Sequence, residues 1–64
     1  MEGAKLARMA DQIARNFAAQ GEQAAVEQTA EHIRLFWDPR MKAALRDVDS
    51  ALLSPVVARA LARI

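Results

Sequence analysis

The dipeptide Asp38-Pro39 divides a chain that would otherwise read as almost continuous helix. Pro39 disfavours a helical conformation at Asp38 and cannot donate a backbone hydrogen bond. The same Pro suits the first position of a new helix, because that position has no intrahelical partner for its N–H anyway. Asp38 then serves as N-cap, its carboxylate accepting from the orphan amides ahead of it. One helix must therefore stop near Trp37 and another start at Pro39, with almost no loop between them. Ser54-Pro55 repeats the device, with Ser54 as cap and Pro55 as first helical residue. Elsewhere only two Gly interrupt a sequence rich in alanine, the best helix former.

Hydrophobic periodicity fills in four helical segments. The first spans residues 4–20, where Leu6, Met9, Ile13 and Phe17 recur at spacings of three and four with Ala10 and Ala14 alongside. Gly21 is placed to end it as a left-handed C-cap. The second spans residues 23–37, with Val26, Ala30, Ile33 and Trp37 as its stripe and Thr29 and Phe36 on the edges. Glu31 and Arg34 are spaced for an i, i+3 pair on its outer side. The third runs over residues 39–49 with Met41, Leu45, Val48 and Leu52 in line, and a short fourth carries Val57, Ala60, Leu61 and Ile64. The prediction is an all-α fold: one domain over residues 1–64, a small bundle of three to four short helices with tight Asp-Pro and Ser-Pro corners.

A chain of 64 residues can build only one small core. A domain of this size buries about 60% of the surface its unfolded chain exposes, and such domains usually lean on a staple, a metal or a partner. There is no Cys, so neither a disulfide nor a thiolate metal site is available. No apolar run is long enough to span a bilayer. Glu2, Lys5 and Arg8 interrupt the first ten residues, which do not read as a signal peptide, so a cytoplasmic protein away from membranes is expected. Nine Lys and Arg face eight Asp and Glu, a formal net charge of +1. That balance argues against binding nucleic acid through bulk electrostatics.

The residues capable of chemistry are sparse. His32 is the single histidine, and one His without Cys is poor material for a zinc site. Asp38, Asp47 and Asp49 could suggest a carboxylate cluster, but Asp38 has a capping use and Asp47 and Asp49 do not share a helix face. Arg40, Lys42 and Arg46, with Arg34 nearby, form a small basic patch that admits a helix–turn–helix reading or a solvated, salt-bridged surface. No phosphate-binding glycine loop, nucleophile elbow or H-E-x-x-H pattern is present, so no catalytic, cofactor or metal site is expected in this chain. Phe36-Trp37 is the most informative pair. Adjacent helical side chains point about 100° apart, so one can enter the core while the other covers a second surface. Alternatively, both fill the corner between the second and third helices.

The string Phe36-Trp37-Asp38-Pro39-Arg40-Met41, behind a helix bearing Ala30, His32 and Ile33, resembles the delta subunit of NAD-dependent, molybdenum-containing formate dehydrogenases. The opening helix, Leu6-Ala7-Arg8-Met9-Ala10-Asp11-Gln12-Ile13-Ala14, is similar to the LVRMANQIA-type start of that family. The likeness covers residues 6–45, with Asp11 where Asn is common and Lys42 where Arg is common. The resemblance implies a complex that oxidises formate to CO₂ and reduces NAD⁺. In it the alpha subunit holds a bis-pyranopterin molybdenum cofactor and iron–sulfur clusters. The beta and gamma subunits carry FMN, further clusters and the NAD⁺ site. The delta subunit carries no cofactor and assists assembly or stability.

The expectation is thus a non-catalytic accessory subunit docked on the catalytic alpha subunit. Phe36, Trp37, Arg40 and Met41 are the expected partner-binding residues: two aromatic anchors, and an Arg fork for a carboxylate or carbonyl. The alternatives are a transient maturation factor for molybdenum cofactor insertion and a small helix–turn–helix DNA-binding protein.

Overall fold

A computed structural model describes residues 2–64. Among them are four α-helices and no strand: α1 (Glu2–Asn16), α2 (Glu22–Phe36), α3 (Pro39–Arg46) and α4 (Pro55–Leu61). Single 3₁₀ turns follow α1 (Ala18–Gln20) and precede α4 (Ser50–Leu52). α1 packs against all three other helices, and α4 lies mainly along α2.

Both Pro corners form as the sequence dictates. The Asp38 carboxylate accepts the Met41 amide at 2.8 Å, and the Ser54 hydroxyl accepts the Val57 amide at 3.3 Å. Pro39 and Pro55 open α3 and α4. Trp37 and Asp38 are both extended, at φ/ψ of −91/140 and −77/167, so two residues turn the chain from α2 into α3.

The first helix is shorter and rotated relative to its expected form. It stops at Asn16, and a 3₁₀ turn carries the chain to Gly21. Its buried face is Leu6, Ala7, Ala10 and Ala14, while Met9 is 40% exposed and Ile13 and Phe17 are half-buried. Alanine explains the rotation. A face of small side chains lets neighbouring helices approach closely, and that close contact outweighs burial of one flexible Met. Gly3 contributes likewise, since a Cβ there would lie 3.0 Å from Val48 Cγ2.

Gly21 has the positive φ expected of it but not the left-handed cap. At φ 100, ψ 158 it lies in a region open essentially to Gly alone. Its amide donates to Ala18 O at 3.1 Å and its carbonyl accepts the Ala25 amide at 2.9 Å, so it closes one turn and opens α2. Nothing crowds the position. Gly21→Ala therefore tests backbone strain alone, and a loss of about 1–3 kcal/mol in chemical denaturation is expected.

The third helix ends at Arg46, three residues early. Asp49 starts a new turn by accepting the Ala51 amide at 3.0 Å. This resets the phase, so Leu52 is 61% exposed and Leu53 packs against the core in its place. The core gathers Leu6, Ala7, Ala10, Ala14, Ile33, Trp37, Leu45 and Val57. A smaller cluster of Val26, Ala30 and Ala60 joins α4 to α2. Two ion pairs, Arg59 with Glu22 and Arg63 with Glu27, lie across that same seam. Both are half-exposed and add little, about 0–1 kcal/mol each. The third ion pair among the described residues is Arg15–Asp11 within α1. The expected Glu31–Arg34 pair does not form.

Candidate docking site

The corner between α2 and α3 sorts its two aromatics to opposite sides. Trp37 continues the Val26, Ala30, Ile33 stripe and is 7% exposed, inside the main core. Phe36, one residue back and about 100° away, is 73% exposed. Its ring rests against His32 one turn earlier, with centroids 4.9 Å apart and planes tilted by 44°. Leu35 beside it is 65% exposed. Two large apolar side chains therefore stand side by side in solvent at the last turn of α2, on a domain too small to waste them.

The remaining expected site residues fall on either side of this division. Arg40, in the first turn of α3, is exposed, and Met41 is half-buried against the core. The structure thus brings Phe36 and Arg40 to the surface of one corner and turns Trp37 and most of Met41 inward. Trp37 contributes by fixing the corner from below. Its amide donates to Ile33 O at 3.0 Å, so the last turn of α2 closes directly onto the residue that anchors it.

The expected basic patch is not four equivalent charges. Lys42 Nζ donates to Arg34 O at 2.9 Å, reaching back across the corner to the open C-terminal end of α2. That contact also suits the negative end of the helix dipole. Arg46 Nη2 donates to Ile64 O at 2.8 Å and ties the end of α3 to the residues after α4. The side chains of Arg34 and Arg40 make no hydrogen bond or ion pair among the described residues. They are the two free guanidinium groups of the corner, flanking Leu35 and Phe36 in the chain.

Leu35 lies off the Val26, Ala30, Ile33, Trp37 stripe, and periodicity does not single it out. The available signal was the oddity itself: a Leu on the face that otherwise carries Glu27, Glu31 and Arg34. Another exposed apolar residue, Leu52, borders a shallow groove with Ala4, Ala7, Arg8, Asp11, Leu53 and Ser54. There Arg8 and Asp11 supply charges of both signs.

Among the described residues no three His, Asp or Glu side chains gather as metal ligands. His32 is half-buried against Phe36 and not grouped with carboxylates. No described helix is long and apolar enough to cross a membrane. The Thr29 hydroxyl is wholly buried without a hydrogen-bond partner, but it lies within the bundle.

A family model described as the NADH-dependant formate dehydrogenase delta subunit FdsD matches residues 5–61. Comparison with curated proteins and with solved structures gives no match.

Proposed function

The chain belongs to the formate dehydrogenase delta-subunit family, and from that premise we propose that it is a non-catalytic subunit docked on the catalytic alpha subunit of a cytoplasmic, NAD-dependent complex. Its contribution is to stabilise the complex or assist its assembly. The molybdenum cofactor, iron–sulfur clusters, FMN and NAD⁺ site belong to the alpha, beta and gamma subunits in this reading. One observation carries the proposal: Phe36 stands 73% exposed directly beside a buried Trp37. The bundle has already used the pair's better core residue, and the other is left for a second surface. Phe36 and Arg40 make the contact, Trp37 holds the corner rigid beneath them, and Met41 supports it from the edge of the core.

A resident subunit and a transient maturation factor differ in stoichiometry. With the affinity tag on the catalytic subunit, the purified active complex should hold this chain in a one-to-one ratio with that subunit. Recovery of fully active enzyme with only traces of the chain would favour the maturation reading. Absence of the chain at every stage of purification, including from immature complex, would refute docking.

A further inference from the structure

We propose that the partner surface opposite this corner is an apolar socket rimmed by carboxylates, which takes Leu35 and Phe36 between Arg34 and Arg40. This rests on the docking reading above and gives it a chemistry. Charge complementarity is the argument. Residues 31–42 hold Arg34, Arg40 and Lys42 against Glu31 and Asp38, an excess of one positive charge, with Glu31 exposed one turn before Leu35. The Asp38 carboxylate is committed to the Met41 amide and the Lys42 ammonium to the Arg34 carbonyl. Arg34 and Arg40 thus remain as exposed forks without partners among the described residues. Guanidinium is the side chain best matched to planar, bidentate capture of a carboxylate.

The four residues belong to one corner. Arg34, Leu35 and Phe36 share the last turn of α2, and Arg40 lies in the first turn of α3. Between them the corner is fixed by buried Trp37, the Asp38 cap and the Lys42 bridge to Arg34 O. A rigid corner loses little conformational freedom on binding, which favours it over a flexible loop as an anchor.

A partner of this kind binds with a salt-dependent rate and rejects a reversed charge. The test is titration of fluorescently labelled chain with formate dehydrogenase complex purified without it, in low and high salt. Arg34→Glu and Arg40→Glu should each raise Kd at least tenfold in low salt. Arg8→Glu, at the Leu52 groove, should stay within about twofold of the unaltered chain. Circular dichroism verifies that each variant remains helical. High salt should weaken the unaltered chain and narrow its advantage over the two corner variants.

Failures separate cleanly. If the unaltered chain does not bind the complex, docking itself is refuted, and this inference with it. If the chain binds but Arg34→Glu and Arg40→Glu bind equally well, docking stands and the carboxylate rim is overturned. If the isolated chain self-associates and Arg40→Glu abolishes that, the corner is an interface between copies, and the inference is overturned. Binding to duplex DNA at low salt, lost in the same two variants, would also overturn it.

Discussion

Trp37→Ala should abolish the cooperative thermal transition of the chain. Trp37 lies in the main core with Leu6, Ile33, Leu45 and Val57, and it is the largest side chain there. Truncating a buried Trp costs about 3–5 kcal/mol, from lost transfer energy and the cavity left behind. Domains have only about 0.05–0.15 kcal/mol of stability per residue, roughly 3–10 kcal/mol for 64 residues, so this loss takes at least about a third of the total. The corner magnifies the effect, since Trp37 is also the residue on which α2 ends and from which α3 departs. Circular dichroism against temperature reads it directly. Trp37→Phe, which keeps an aromatic ring in the core, should retain a cooperative transition at lower temperature. A Trp37→Ala chain that melts like the unaltered one would mean that the corner is held by its caps alone.

Phe36→Gln should do the reverse, sparing the fold and removing the association. The ring is mostly in water already, so its loss forfeits little beyond the contact with His32. Gln is a good helix former and adds no charge to the end of α2. Stability should change by about 0.5 kcal/mol or less, as for other surface substitutions. Docking is another matter. Full burial of a Phe side chain is worth about 1.5–3 kcal/mol, and aromatic anchors dominate interface energetics. Loss of about 2 kcal/mol corresponds to roughly a thirtyfold rise in Kd. Neighbouring positions would thus separate the two tasks, one residue building the corner and the next engaging the partner.

Much of this was legible in the residues because it rests on local chemistry. Asp38-Pro39 and Ser54-Pro55 carry cap and first helical position together, and both corners form where those pairs stand. The Val26, Ala30, Ile33, Trp37 stripe is intact because α2 is long and its phase is undisturbed. Weighting large side chains misled the reading of α1. Periodicity favoured Leu6, Met9, Ile13 and Phe17 with Ala10 and Ala14 alongside; packing buried Leu6, Ala10 and Ala14, added Ala7, and left Met9 40% exposed, because small side chains permit closer approach. Leu52 failed for a related reason. Its stripe position assumed unbroken helix through Asp49, and one carboxylate accepting one amide reset the phase. For the surface, the stripe put Trp37 on the core face of α2 and Phe36 at its edge, but spacing did not show whether Phe36 would be covered. That depended on which face of α2 the other helices cover. The roles of Lys42 and Arg46 were out of reach, because their acceptors are backbone carbonyls 8 and 18 residues away.

This corner is proposed to attach the chain to the catalytic subunit through Phe36. The most direct measurement is the affinity of the unaltered chain and of Phe36→Gln for formate dehydrogenase complex purified without the chain, each checked for an unchanged melt. Tight, saturable binding is expected of the first and a roughly thirtyfold weaker Kd of the second. Equal affinity of the two, with both chains fully folded, would contradict it.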